Sequence, residues 1–139
     1  MARTRTETRA RARALQALYA WDVRGDQRLD VLAEQLWDEL NMSPEERRRA
    51  DVLLARVIHQ REEIDGALRD VTTNWRLDRL GAIERSVLRL GAAELALGDT
   101  PAKVVIQEAV NLAERYGSAQ SARFVNGVLD ALARRQGRL

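Results

Sequence analysis

The sequence predicts an all-α fold in which about seven helices pack as one compact bundle. Three observations favour this fold. Apolar residues recur at intervals of three and four along nearly the whole chain, which is the spacing of one face of a helix. No useful length of chain shows the apolar–polar alternation of a half-buried strand. Only two prolines and eight glycines interrupt these patterns.

The first two helices are predicted over residues 6 to 23 and 29 to 40. In the first, Leu15, Leu18 and Trp21 lie on one side, and a turn containing Gly25 ends it. The second helix is apolar at every third or fourth position, namely Leu29, Leu32, Leu36 and Leu40.

The third helix has the clearest start in the chain. Ser43 can cap it, Pro44 suits the first helical position, and Glu46 completes a capping box. A fourth helix follows closely, and its inward positions are Ile64, Leu68 and Val71. The pattern does not define the boundary between the third and fourth helices.

The fifth helix is predicted over residues 79 to 97. It is apolar on most sides, which is typical of a helix at the centre of a core. A narrow polar strip remains, and its default interpretation is a row of solvated charges: Glu84, Arg85, Arg89 and Glu94.

Short-range signals also mark the last two helices. Thr100 and Pro101 provide a cap and a first-turn proline for the sixth helix, which ends at Tyr116. The seventh helix starts near Ser118, and its buried face is set by Val125, Val128, Leu129 and Leu132.

A search for catalytic chemistry finds none. The single histidine, His59, stands alone on a helix, and the chain has no cysteine, no phosphate-binding glycine loop and no nucleophile motif. No spacing of carboxylates and histidine resembles a metal site. We therefore expect a protein that is not an enzyme and that has neither a cofactor nor a metal. No apolar run reaches the roughly 20 residues of a membrane span, and there is no signal-peptide core, so the expected location is the cytoplasm.

Positive charge is concentrated at the N-terminus. The chain contains 22 arginines and one lysine, with a net charge of only +2, yet five arginines fall within the first thirteen residues. An arginine-rich arm on a balanced chain is typical of contact with an anionic polymer. The alternative is a solvated helix start in a sequence rich in arginine, and the pattern alone leaves both open.

Phe124 is the only phenylalanine and lies at the edge of its helix's apolar face. At about 100° per residue it is roughly a quarter turn from the centre of the face formed by Val125 and its neighbours. An aromatic ring at the rim of a core, next to Arg123, suits base stacking on single-stranded RNA. The default interpretation of the pattern alone is a flanking core residue that seals the edge of the bundle.

Four segments resemble the NusB family. They are RARALQALYAWDV at residues 11–23, ERSVLRLGAAEL at 84–95, TPAKVVIQEAVNLAERYG at 100–117, and ARFVNGVLDALAR at 122–134. The resemblance covers nearly the whole chain and is weakest between residues 24 and 75. It implies two packed helical subdomains in a single domain spanning residues 1–139.

The resemblance also implies a function. Members of this family pair with Nus factor E, a small-subunit ribosomal protein, and bind the single-stranded boxA element of ribosomal RNA leaders. They then act in the RNA polymerase antitermination complex against Rho-dependent termination. The positions that match the family's RNA-contacting residues are Arg9, Arg11, Arg13, Gln16, Tyr19, Arg89, Gln120, Arg123, Phe124 and Asn126. The acidic positions that match its contacts with Nus factor E are Asp78 and Glu84.

The sequence departs from the family pattern in two respects, and two other functions are possible alternatives. The N-terminal arginines alternate with other residues instead of forming an unbroken run, and the middle of the chain does not locate further partner contacts. A helical protein-binding scaffold without RNA binding is one alternative. The other is the N-terminal fragment of a ribosomal RNA cytosine methyltransferase, to which similar helical domains are fused. Whether the chain forms a homodimer that hides its RNA face stays open.

Overall fold

The structure is a computed structural model that describes residues 5–72 and 77–139, without the side chain of Asp78. Trp75 lies outside the described residues. Within them, the chain forms seven α-helices, one short 3-10 helix over Leu77–Arg79, and no strand. The all-α prediction is therefore confirmed. The helices are α1 (Arg5–Arg24), α2 (Leu29–Leu40), α3 (Pro44–His59), α4 (Arg61–Val71), α5 (Ala82–Leu97), α6 (Ala102–Tyr116) and α7 (Ala119–Arg135).

Of the two predicted helix caps, at Ser43 and Thr100, the first is confirmed, and the predicted start of the seventh helix near Ser118 is confirmed as well. The Ser43 hydroxyl accepts a hydrogen bond from the backbone N–H of Glu46, and the Ser118 hydroxyl accepts one from that of Ser121. The Thr100 cap is wrong, because α6 starts at Ala102 without a side-chain cap. The Thr100 hydroxyl lies instead beside Asp99, at the end of the loop before α6.

The fifth helix starts later than its apolar pattern predicts. Residues 77–79 form the separate 3-10 helix, and Gly81 is the residue that precedes the first turn of α5. Gly81 leaves room for the Glu84 carboxylate to fold back against it, since a Cβ at this position would overlap Oε1 of Glu84. The polar start of this segment therefore belongs to a turn and not to the helix.

The central helix α5 holds two groups of helices together, as predicted. α1, α2 and α3 pack on one another, and α6 and α7 pack on one another with α4 against α7. α5 contacts α1 and α3 in the first group and α4, α6 and α7 in the second. Among the described residues, none of the helices combines the length and the apolar character that a membrane span requires.

The contact between α5 and α7 depends on a glycine. A Cβ added to Gly91 would lie 2.6 Å from Cδ1 and 3.2 Å from Cδ2 of Leu129, a side chain that is completely buried. Gly66 in the middle of α4 has nothing within 4 Å of its Cβ position. Gly91 therefore allows a close contact between two helices, whereas the position of Gly66 has room for a side chain.

We expect Gly91→Ala and Gly66→Ala to change stability in opposite directions. Both gain up to about 1 kcal/mol of helix propensity. Gly91→Ala also overpacks the core against Leu129, which costs about 1–3 kcal/mol. Urea denaturation should show a higher midpoint for Gly66→Ala and a lower one for Gly91→Ala. Equal stabilisation of both variants would show that α5 and α7 can separate at no cost.

Candidate nucleic-acid interface

The arginine at the centre of the N-terminal motif is buried inside the protein. Arg11 is 2% exposed, and its guanidinium makes a two-pronged ion pair with Glu94 of α5 at 2.8 and 2.7 Å. Its third nitrogen donates to Glu108 of α6 at 2.7 Å. Thr8 also donates to Glu108, and Arg49 of α3 donates to Glu94 at 2.9 Å. We call these five residues the Arg11 network; it joins α1, α3, α5 and α6.

A second buried cluster lies further along the same helices. Asp22 of α1 accepts hydrogen bonds from Arg85 and from Arg89 of α5. Arg89 also makes a two-pronged pair with the buried Asp65 of α4, at 2.9 and 3.1 Å. We call these four residues the Asp22 network. Arg85 donates in addition to the carbonyl of Leu80, which fixes the turn before α5.

These networks correct two expectations. The polar strip of α5 is not a row of solvated charges, because Arg89 and Glu94 are buried and paired. Arg11 and Arg89 also use their guanidinium donors on protein carboxylates, which leaves no exposed fork for a phosphate. Arg11 and Arg89 therefore belong to the scaffold beneath the candidate RNA surface and not to the surface itself.

One carboxyl group in each network, Glu94 in the first and Asp22 in the second, has a lowered pKa. Burial alone would raise the pKa of Glu94, but hydrogen bonds and positive charge from Arg11 and Arg49 outweigh it. The pKa of Asp22 is lowered chiefly by its hydrogen bond from Arg85; burial opposes this, and the charges of Arg85 and Arg89 add to it. Both carboxylates thus stay ionised because their arginine partners hold them so.

Two other N-terminal arginines, Arg9 and Arg13, line a groove between α1 and α6. Arg9 and Arg13 are one turn apart and border this groove, which has a volume of about 270 Å³. The side chain of Arg9 is 58% exposed, and its nearest carboxylate, that of Glu46, lies at 3.8 Å. The opposite wall is formed by α6, through Asn111, Leu112, Arg115 and Tyr116. We call this the α1–α6 groove.

Phe124 lies in a second concavity, between the start of α7 and the turn before α5. It is half-buried, and the concavity of about 360 Å³ is also lined by Gln120, Glu84 and Arg79. The hydroxyl of Ser121 donates to Oε2 of Glu84 on its floor. We call this the Phe124 concavity. The rim position predicted for the ring is confirmed.

Other predicted RNA-contacting residues spread over neighbouring faces. Gln16 accepts a weak hydrogen bond from Arg13 at 3.4 Å, and Tyr19 is exposed further along α1. Arg123 is exposed next to Phe124. Asn126 is exposed too, but it is two residues past Phe124 and so points about 160° away from it around α7. The structure does not bring Asn126 to the Phe124 concavity.

The two predicted partner-binding acids are placed differently. Asp78 belongs to the 3-10 helix before α5, and its side chain lies outside the described part of the structure. Glu84 shares the Phe124 concavity, where Ser121 holds its carboxylate. A contact between Glu84 and a protein partner would therefore lie directly beside the proposed RNA surface.

The α1–α6 groove and the Phe124 concavity adjoin at the turn between α6 and α7. Tyr116 lines the first, Ser118 lines the second, and only Gly117 separates them. Exposed arginines along one part and an aromatic ring along the other are side chains that suit phosphate contacts and base stacking. Sequence reasoning missed the α6 wall, because Asn111 and Arg115 look like ordinary polar positions of an amphipathic helix. Within the described residues, no cluster of histidine, aspartate and glutamate could hold a metal ion.

Comparison with known proteins agrees with the fold. Residues 8–134 match the model of the NusB family. The chain belongs to the NusB family. The transcription antitermination protein NusB of Anaeromyxobacter dehalogenans is 47% identical over 133 residues, which cover 94% of this chain and 92% of that protein. The protein of the same name from Sorangium cellulosum is 44% identical over 130 residues, covering 93% and 92%.

Solved structures give the same result. T. maritima NusB superposes with a TM-score of 0.87 at 31% identity, covering 96% of this chain and 93% of that one. A crystal structure of antitermination factors NusB and NusE in complex with double-stranded RNA contains a chain that superposes with a TM-score of 0.87 at 33% identity, covering 95% and 98%. Because the relatives are transcription antitermination proteins, membership also confirms the prediction that the chain is not an enzyme.

We expect Arg11→Met to destabilise the fold strongly. Removing one partner of a buried ion pair leaves carboxylates without compensation and costs about 3–5 kcal/mol. The matched control is Arg28→Met, since Arg28 pairs with Asp30 but its side chain is 79% exposed. An exposed pair contributes about 0–1 kcal/mol. The measurement is the free energy of unfolding in urea; similar losses for both variants would contradict a structural role for Arg11.

The stability of the fold should decrease in acid because the carboxylates of Glu94 and Asp22 become protonated. Their folded pKa values are lowered, so the stability they contribute is complete above the unfolded pKa of about 4 and is lost as the pH falls through the folded value. Asp22→Asn should therefore cost most near pH 7 and progressively less below pH 4. Thermal denaturation from pH 7 to pH 2.5 measures this, with Asp26→Asn in an exposed turn as control. A constant cost of Asp22→Asn at all pH values would contradict it.

Proposed function

We propose that the chain is an RNA-binding transcription antitermination factor that works together with Nus factor E. The observation that carries this proposal is its close superposition, over nearly its whole length, on a NusB chain solved with NusE and RNA. The surface formed by the α1–α6 groove and the Phe124 concavity supports it, because that surface offers exposed arginines and an aromatic ring.

In this proposal the chain binds single-stranded RNA that contains a boxA element of ribosomal RNA leaders. Bases can stack on a protein aromatic ring only when they are not stacked and paired in a duplex, and the half-buried ring of Phe124 in its concavity suits such stacking. Arg9 and Arg13 supply phosphate contacts, which carry affinity without sequence preference. The chain and Nus factor E then join the RNA polymerase complex that resists Rho-dependent termination, in the cytoplasm where transcripts and ribosomal proteins occur together.

Nus factor E is proposed to bind next to the RNA. Glu84 lies in the Phe124 concavity and Asp78 lies in the adjoining 3-10 helix, so a basic partner at these acids would extend the RNA surface. The two alternatives from the sequence receive less support. A scaffold without RNA binding leaves the exposed arginines of the groove unexplained. The relatives that the chain matches over 92% of their length are antitermination proteins and not methyltransferases.

The test is an RNA-binding titration with and without Nus factor E at several salt concentrations. We expect Phe124→Ala to weaken binding of boxA RNA about 5-fold to 150-fold, the value of one base-stacking contact. An Arg9→Ala, Arg13→Ala double variant should reduce the slope of log affinity against log salt by about 1.4, because each phosphate contact in single strands contributes about 0.7.

Three controls keep this test specific. Arg28→Ala removes an exposed arginine in the turn between α1 and α2 and should leave the slope unchanged. A duplex of the same sequence should bind without dependence on Phe124. A scrambled single strand measures preference for boxA. If the parent chain binds none of these RNAs, with or without Nus factor E, the proposed function is wrong.

A further inference from the structure

The α6 wall of the α1–α6 groove carries a stacked arginine and tyrosine with no assigned role. The guanidinium carbon of Arg115 lies 5.1 Å from the ring centre of Tyr116, over its face. Arg115 is exposed, whereas Tyr116 is half-buried and packs against the core. The core therefore holds the tyrosine ring, and the ring in turn supports a flat cationic group at the surface.

The charge of the groove favours an anionic ligand. Arg11, which reaches its floor, is neutralised by the carboxylates of Glu94 and Glu108. Arg9, Arg13 and Arg115 border the groove in addition, and Glu108 is the only carboxylate among the described residues that line it. Since Arg11 and Thr8 already bind Glu108 from the protein side, the positive charge of the three outer arginines dominates at the mouth of the groove.

We propose that the α1–α6 groove is a second nucleotide subsite, in which a base of single-stranded RNA stacks on the Arg115–Tyr116 pair. Arg9 and Arg13 bind the phosphates that flank this base from the opposite wall. Planar guanidinium groups and aromatic rings are the surfaces on which unpaired RNA bases stack. This inference rests on the proposed function, and it extends the bound RNA beyond Phe124.

The position of the pair explains how one strand could occupy both subsites. Tyr116 is the last residue of α6, and Ser118, which borders the Phe124 concavity, is the residue before α7. A strand that leaves the Phe124 concavity over this turn enters the α1–α6 groove directly. A dinucleotide held at Phe124 occupies that concavity alone, whereas a longer RNA also covers the Arg115–Tyr116 pair.

The experiment compares a dinucleotide and a twelve-nucleotide single-stranded RNA, both taken from a boxA sequence, by fluorescence anisotropy. Tyr116→Leu keeps an apolar side chain in the core but removes the ring. We expect it to weaken binding of the longer RNA about 5-fold or more without changing the salt slope. Tyr116→Phe should bind like the parent. Binding of the short RNA should be unaffected by Tyr116→Leu and lost in Phe124→Ala.

Two variants of Arg115 separate the effect of its planar guanidinium group from the effect of its charge. Arg115→Lys keeps the charge but loses the flat group, so affinity for the longer RNA should fall while the salt slope stays constant. Arg115→Gln should lower both the affinity and the slope, the latter by about 0.7. Arg28→Gln is the matched control, and thermal denaturation of each variant confirms that it is folded.

The outcomes distinguish this inference from the proposed function. If Phe124→Ala weakens binding but Tyr116→Leu and Arg115→Lys bind the longer RNA as the parent does, the second subsite does not exist and the proposed function stands. Equal effects of Tyr116→Leu on the short and long RNAs would also overturn the subsite, since they indicate a general loss of structure. If the parent chain binds neither RNA, both proposals are wrong.

Discussion

The arrangement of α1 against α5 depends on two buried ion clusters of opposite polarity. In one, a cation near the start of α1, Arg11, meets an anion near the end of α5, Glu94. In the other, an anion near the end of α1, Asp22, meets a cation near the start of α5, Arg85. The two helices can satisfy both pairs only when they run antiparallel and in one register. Buried ion pairs often add little net stability, but they can select one arrangement among several.

The geometry of α1 makes this possible. Arg11 and Asp22 are eleven residues apart, so at 100° per residue they lie within about 20° of each other around the helix. Both therefore face α5. Arg9 and Arg13 each lie about 160° from Arg11, and they point away from the buried face. One arginine-rich motif is thus divided between two tasks, since its central residue fixes the helix and the residues on either side of it form the exposed surface.

Much of the fold could be predicted because it follows local rules. The helix starts at Ser43 and Ser118 and the central position of α5 all come from short-range patterns of capping and hydrophobicity. The burial of Arg11 and Arg89 could not be predicted. An arginine within an apolar stripe has the same local sequence pattern whether its guanidinium group is hydrated or pairs with a distant carboxylate. Glu94 is 83 residues from Arg11, and no spacing rule connects them. The same applies to Tyr116, whose neighbours in the groove come from the opposite end of the chain.

The separation of the Arg11 partners along the chain also bears on synthesis. A protein leaves the ribosome from its N-terminus, so α1 is made first, yet the carboxylates that Arg11 requires stand 83 and 97 residues later. Contacts between segments so far apart form late, because the entropy of closing a long loop opposes them. α1 therefore spends most of translation without the partners of its buried arginine. Although α1 is made before α5 and α6, its buried arginine can form its ion pairs only after those two helices have left the ribosome.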